Sequence, residues 1–371
     1  MTEQRRLKIL HVVLSLEPGG MENGVVNVAR GLDPKQFEVH AACLERGGTF
    51  VERLPEPNNV YILNKQPGFS WRAVFALAKV VSKIKPDVVH THNLGPLIYA
   101  ALATAMGTTR NILHGEHGFP QSQRTRQSLR QRRMFYRACK CVHAVSQGLH
   151  DELVQFGMPA EKIEVLLNGV DTERFTPYPS EAARREISVH TTGPIIGMVG
   201  RFDPLKCHLP LMAAFEGLSQ KLPTAELIIV GKGGQIYEQV LNRAQASPVA
   251  SRIHMVGFQP EPKRYYQSMD LLVVPSLSEG LSNVVLEAMS CGVPVLGHTA
   301  CGNAEIITSG KDGILANLKT PKDLEIQIAG ALSNLTRLKQ IGQSARETVV
   351  TRFSMATMVA NYAALYRRVA E

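Results

Sequence analysis

The stretch PSLSEGLSNVVLEAMSCGVPV (275 to 295) carries two carboxylates of different setting, Glu279 in a loop and Glu287 among apolar neighbours. As a helix, Val284, Val285, Leu286, Ala288, Met289 and Cys291 would cover most of its circumference. Asn283, Glu287 and Ser290 remain as a narrow polar stripe, and Gly292 and Pro294 end the segment. A helix so apolar is largely buried, so Glu287 either reaches out through a thin strip or is desolvated and needs a partner. Backbone N–H groups at its start, near Ser282, Asn283 and Val284, attract an anion. A phosphate there, with carboxylates on either side to accept hydroxyl hydrogen bonds, describes a sugar nucleotide.

Other groups offer compatible chemistry. In GRFDPLKCH, Arg201 follows a strand and Lys206 comes five residues later, before the next helix. Two cations there suit a diphosphate, although solvated charges are the commoner fate of such residues. Gly19 and Gly20 join the first strand to a helix, where backbone N–H groups can approach an anion or simply make a tight turn. VGKGGQ (230 to 235) is a second glycine turn, but Ile236 breaks the dinucleotide fingerprint and no P-loop occurs. His90, His92, His114 and His117 gather at the ends of two strands. Their spacing is not H-E-x-x-H, so the expectation is no metal. His117, in a Gly-flanked loop, is the favoured functional histidine.

The segment RTRQSLRQRRMFYRACK (124 to 140) holds seven of the Lys and Arg residues behind the net charge of +9, and no acid. On a helix Arg126, Arg130, Arg133 and Arg137 share one stripe. This is either a solvated face or a patch for an anionic surface. Low aromatic content and the lack of a nucleic-acid motif argue against RNA or DNA. Six scattered cysteines without ligand spacing fit a reducing, cytoplasmic setting. The short apolar run Ile9 to Leu16 reads as a strand, not a signal peptide, and no stretch approaches the roughly 20 apolar residues of a membrane span. Membrane contact, if any, is peripheral, at the inner face of the cell membrane.

Strand-length apolar runs at 9–16, 37–43, 87–92, 110–115, 141–146 and 163–167 alternate with helical segments such as 71–84 and 94–106. The pattern restarts at 194–200, 225–231, 252–257, 270–276 and 293–297. This predicts an α/β protein of two Rossmann-like, doubly wound parallel-sheet domains facing across a cleft. The expected boundaries are 1–170, 171–352 and a final helical segment, 353–371, with a return to the N-terminal domain as one option.

Glu279 and Glu287 in SEGLSNVVLEAMSCGVPV, with the early Gly-Gly loop, PDVVHTHN, HGEHG, NGVD, VGRFDPLK, VGKG and VGF, closely resemble the retaining glycosyltransferases of family four, which have the GT-B fold. The narrower likeness is to bacterial exopolysaccharide and lipopolysaccharide sugar transferases. The resemblance implies an N-terminal acceptor domain and a C-terminal nucleotide-sugar domain. It implies a hexosyl- or N-acetylhexosaminyl-transferase that needs no cofactor. Its donor would be a nucleotide sugar, UDP-sugar favoured over GDP-sugar, and its acceptor a glycan or lipid-linked chain in polysaccharide biosynthesis. Arg201 and Lys206 would hold the diphosphate, Glu279 the donor sugar hydroxyls and Glu287 the ribose. His117 would meet the sugar near the reacting carbon. Gly19, Gly20, Gly200, Gly231 and the run Gly280, Leu281, Ser282 and Asn283 would line the donor. Leu281-Ser282-Asn283 replaces the Phe-Gly-Leu of many relatives, which leaves the backbone contacts there open. The alternatives are a sugar-nucleotide epimerase and a non-catalytic sugar-nucleotide or anionic-lipid binding protein.

Overall fold

The computed structural model describes residues 5–107, 109, 111–118, 124–277, 281–299 and 302–371. The chain divides into two units, Met1–Gly169 with Met355–Glu371, and Val170–Ser354.

The first unit holds β1 (Leu7–Val13), β2 (Phe37–Cys43), β3 (Val60–Ile62), β4 (Val88–His92), β5 (Ile112–Glu116), β6 (Cys139–Ala144) and β7 (Ile163–Val165). They form a seven-stranded parallel sheet in the order β3-β2-β1-β4-β5-β6-β7. Its helices include α1 (Gly20–Gly31), α2 (Trp71–Ile84), α3 (Leu94–Ala105), α4 (Arg126–Tyr136) and α5 (Gln147–Gln155). Successive residues of a strand point to opposite faces, and β1 shows why its run is apolar throughout. Leu10 and Val12 pack with Leu77 of α2 and Ala100 of α3, while Ile9 packs with Val28 of α1 on the other face.

The second unit repeats the plan. β8 (Ile195–Val199), β9 (Glu226–Val230), β10 (Ile253–Gly257), β11 (Leu271–Val274), β12 (Val295–His298) and β13 (Ile314–Ala316) form a parallel sheet in the order β10-β9-β8-β11-β12-β13. Its helices are α6 (Ser180–Glu186), α7 (His208–Leu218), α8 (Tyr237–Gln245), α9 (Lys263–Ser268), α10 (Asn283–Ser290), α11 (Asn303–Ile306), α12 (Pro321–Leu332) and α13 (Leu335–Arg352). The last helix, α14 (Met355–Ala370), belongs to the first unit. Its Met358, Tyr362, Leu365, Tyr366 and Val369 complete the cluster around Ile9 and Val28. The sequence assigned no strand at β3 or β13, each a three-residue strand at the edge of its sheet.

One member of the basic segment is not a surface charge. Arg132 of α4 is fully buried, and its Nε donates to Glu116 Oε1 at 2.8 Å. Tyr136 Oη donates to the same oxygen at 2.8 Å, and His114 Nε2 lies 3.3 Å from it. Burial pushes the Glu116 carboxyl up, but His114 and Arg132 outweigh it and hold the group down at about 2. A depressed carboxylate stabilises the fold above its ordinary value of 4.5, and that contribution is lost as pH falls toward 2. Arg132→Ala strands the buried charge and should cost about 3–5 kcal/mol in urea unfolding at pH 7, with the deficit shrinking below the ordinary carboxyl range.

Candidate active site

Adjacent strands whose following helices leave toward opposite faces open a gap at the carboxyl edge of a parallel sheet. In the second unit this falls at β8 and β11, neighbours whose loops carry Gly200 with Arg201 and the stretch leading to α10. The loops after β8 and β9 interlock. Phe202 N donates to Gly233 O at 2.9 Å and Ile236 N to Phe202 O at 3.1 Å. A Cβ on Gly231 would lie 1.9 Å from Gly200 O, so glycine here is a matter of backbone approaching backbone. Arg201 is exposed, and half-buried Lys206 ends a short 3-10 turn started by Asp203, whose Oδ1 accepts from Leu205 N at 2.9 Å. Leu277 N donates to Leu205 O at 2.8 Å, tying the loop beyond β11 to this cation-bearing turn.

Leu281 and Ser282 are buried, Asn283 is half-buried and begins α10, and the Ser282 side chain does not cap that helix. Glu279 and Gly280 lie outside the described residues. Glu287 is half-buried, and its Oε2 accepts a 2.7 Å hydrogen bond from Tyr266 Oη. Burial raises the Glu287 carboxyl from 4.5 to about 7, although Tyr266 and Arg174 pull the other way. Ser290 is no part of an exposed stripe. It is buried, donates to Phe175 O at 2.7 Å and receives Arg346 Nη1 at 2.9 Å.

In the first unit the gap falls between β1 and β4. Gly20 starts α1, and exposed, extended Gly19 precedes it, where a Cβ would lie 2.2 Å from Glu22 Oε2. Beside them stands a chain of histidine rings. His11 Nδ1 lies 3.0 Å from His92 Nε2, and His92 Nδ1 lies 2.9 Å from His117 Nε2. His90 bonds Tyr366 Oη at 2.8 Å and His143 Nε2 at 3.0 Å. Desolvation drives every one of these rings below the ordinary 6.5, His11 to about 3 and His117 to about 4, so all are neutral at pH 7. His117 is half-buried in the loop after β5, and its backbone N–H reaches Asn93 Oδ1 at 3.4 Å. Asn93 is held at φ +65° with its own N–H on Gly115 O at 2.9 Å.

His114, grouped by sequence with the other three, belongs elsewhere. It is fully buried, with Nδ1 2.8 Å from Thr91 Oγ1 and Nε2 toward Glu116. Among the described residues, His11, His90 and His92 offer ligand atoms within 4.8 Å of one another, a grouping the sequence did not reveal. Both nitrogens of His90 and both of His92 are already engaged in hydrogen bonds. Sequence reasoning also passed over Asn93, Tyr266 and His143. For His11 a signal existed, a histidine inside an otherwise apolar strand.

Arg126, Arg130, Arg133 and Arg137 are all exposed along α4, with Arg133 Nη2 donating to Phe156 O at 2.8 Å. At the start of α2 lies an apolar group that the sequence did not single out. Phe69, Trp71 and Phe75 are 55%, 57% and 53% exposed, with ring centroids 5.2 Å apart from Phe69 to Trp71 and 6.3 Å from Trp71 to Phe75. From Gln66 to His150 the only acids are Asp87 and Glu116, against twelve Lys and Arg. Asp87 pairs with Arg5 and Glu116 is buried, so exposed acids do not offset the cations of this stretch.

Residues 18–174 match the model of Glycosyltransferase Family 4, and residues 179–348 that of Glycosyl transferases group 1. The Escherichia coli UDP-Gal:alpha-D-GlcNAc-diphosphoundecaprenol alpha-1,3-galactosyltransferase is 25% identical over 97% of this chain and 97% of that protein. The D-inositol 3-phosphate glycosyltransferase of Segniliparus rotundus is 31% identical over 50% of this chain and 42% of its own length. Anabaena HepE in complex with UDP-glucose superposes with a TM-score of 0.87 at 22% identity, over 98% of this chain and 100% of that one. Two doubly wound sheets and the superposition on the Anabaena structure define the GT-B fold, and the two family models define a glycosyltransferase. Its two domains belong to Glycosyltransferase Family 4, over residues 18–174, and to Glycosyl transferases group 1, over residues 179–348.

Glu287 allows a test of this geometry. A carboxyl raised by burial destabilises the fold only where it must ionise, so the penalty is absent below 4.5, grows with pH and is complete above about 7. Glu287→Gln should stabilise the second unit above neutral pH by on the order of 1–3 kcal/mol, with no gain at pH 4 in thermal or urea unfolding.

Proposed function

We propose that the chain transfers a sugar, with retention of anomeric configuration, from a UDP-sugar to a lipid-linked or surface-glycan acceptor. The observation that carries this reading is the placing of Arg201 and Lys206 at the carboxyl end of β8, tied through Leu205 and Leu277 to the loop that leads into α10. The UDP moiety in the Anabaena structure and the UDP-Gal donor in the E. coli enzyme's name support the nucleotide. That same name supports a diphosphate-linked lipid as the acceptor class.

In this reading the second unit binds the donor and the first the acceptor. Arg201 and Lys206 hold the diphosphate, Glu279 the sugar hydroxyls and Glu287 the ribose, while His117 contacts the sugar. Gly19, Gly20, Gly200, Gly231 and the backbone from Gly280 to Asn283 line the donor. The bond from the anomeric carbon to the diphosphate oxygen breaks as the acceptor oxygen bonds on the same face, and the acceptor's proton passes to the leaving phosphate. Negative charge grows on the diphosphate, so fixed cations and a helix N-terminus lower the barrier without reorganising.

A lipid acceptor calls for approach to a bilayer. Among the described residues no helix is long and apolar enough to cross one. The exposed arginines of α4 and the aromatic group Phe69, Trp71 and Phe75 suit a peripheral seat on anionic headgroups at the inner face of the cell membrane, since Trp and Phe favour the interface and clustered cations attract it.

Arg201→Ala, Lys206→Ala and Glu279→Ala should each lower kcat/KM by about 100-fold or more, measured as acceptor-dependent UDP release; undiminished turnover in all three removes the proposed site. Conversion of the donor sugar without an acceptor would indicate an epimerase instead. Trp71→Ser with Phe75→Ser, and separately Arg126→Glu with Arg130→Glu, should each weaken flotation with phosphatidylglycerol vesicles while leaving UDP affinity unchanged.

A further inference from the structure

We propose that His11 and His92 are positioning residues that fix His117 in its Nδ1–H form, so that His117 meets the donor sugar as a hydrogen-bond donor and not as a base. This rests on the reading of His117 as the sugar-contacting histidine.

A neutral imidazole carries one N–H and one lone pair, and burial keeps these three rings neutral. His92 uses both of its nitrogens, Nε2 toward His11 Nδ1 at 3.0 Å and Nδ1 toward His117 Nε2 at 2.9 Å. Having a single proton, it must donate at one end and accept at the other. Only two arrangements satisfy both bonds. In the first, His11 donates from Nδ1, His92 donates from Nδ1, and His117 accepts at Nε2 and keeps its proton on Nδ1. In the second every bond reverses, and the proton left over sits on His11 Nε2.

The far end of the chain selects between them. His11 is 1% exposed, and its Nε2 has no hydrogen-bond partner. The cavity beside it is lined by Gly24, Val25, Val28, Asn168, Met358 and Tyr362 as well as the rings, its volume of about 10 Å³ is at the floor for a single water, and Asn168 makes no hydrogen bond to His11 Nε2. An unpaired buried N–H is among the rarest defects of a native fold, whereas an unused acceptor is better tolerated. The first arrangement leaves only a lone pair there. It also leaves His117 Nδ1, which has no hydrogen-bond partner among the described residues, as a protonated nitrogen aimed away from the chain. A hydroxyl oxygen of the donor sugar is the chemistry that such a nitrogen takes. The proton of the acceptor must then go elsewhere, in keeping with its passage to the leaving phosphate.

Long-range ¹H–¹⁵N correlation on the full chain labelled with ¹⁵N-histidine reads the tautomer directly, without substrate. The expected result is a His117 ring protonated at Nδ1 from pH 6 to 8, assigned by its loss in His117→Ala. Protonation at Nε2 overturns the proposal, and does so whether or not His117 serves catalysis. His11→Phe keeps a ring but no donor and should mix the His117 tautomers; His11→Asn, whose amide N–H can replace Nδ1–H, should restore the single form. The Phe variant should lose roughly three- to tenfold in kcat/KM, with UDP affinity unchanged and the Asn variant recovering. An unaltered tautomer in folded His11→Phe and His92→Phe removes the positioning role. Should those variants fail to fold, the tautomer of the unmodified protein still decides. A correct tautomer with full activity in His117→Ala would instead leave the proton chain intact and remove the reading of His117 as the sugar contact.

Discussion

Parallel strands that share one direction bring all of their carboxyl ends to one edge, and both units use that constraint. At the first strand of each sheet the order reverses, so the helices leaving β1 and β4, and those leaving β8 and β11, depart to opposite faces. The edge is left uncovered there. Polar side chains and glycine backbone can occupy it because no crossover helix competes for the space. In the second unit Gly200, Arg201 and Lys206 stand on one side of the gap and the start of α10 on the other. In the first, Gly19, Gly20 and the histidine rings share it.

Two carboxylates show how differently burial can be used. Glu116 receives Arg132, Tyr136 and His114 on a single oxygen and is held charged, at about 2. Glu287 has the Tyr266 hydroxyl as its hydrogen-bond donor and rises to about 7. The first carboxylate belongs to the packing of α4 against the sheet. The second sits midway along α10, where burial brings its titration close to neutral pH.

Much of this was legible in the amino-acid sequence. Strands covered on both faces must be apolar at every position, which is why β1, β9 and β11 read so clearly, and the strand and helix alternation placed Arg201 and Lys206 at a carboxyl end. What could not be read depends on contacts distant in sequence. The glycine of VGKGG is required by the carbonyl of Gly200, in another loop. Tyr266 was an ordinary tyrosine until α9 brought it to Glu287. Arg132 looked like its six basic neighbours because helical spacing alone does not tell which face turns inward. His11 was hidden by the apolar run around it, and its partner His92 lies 81 residues away.

The packing of α14 carries a consequence for biosynthesis. Its Tyr366 and Val369 belong to the same cluster as Ile9 of the first strand, and the Tyr366 hydroxyl meets His90. A ribosome delivers β1 to β7 and α1 early, yet the part of that sheet face covered by Met358, Tyr362, Leu365, Tyr366 and Val369 stays open until the second unit has been made and α14 follows it. The domain that begins first is therefore completed last. During that interval its exposed apolar face is the part of the nascent chain most in need of a chaperone.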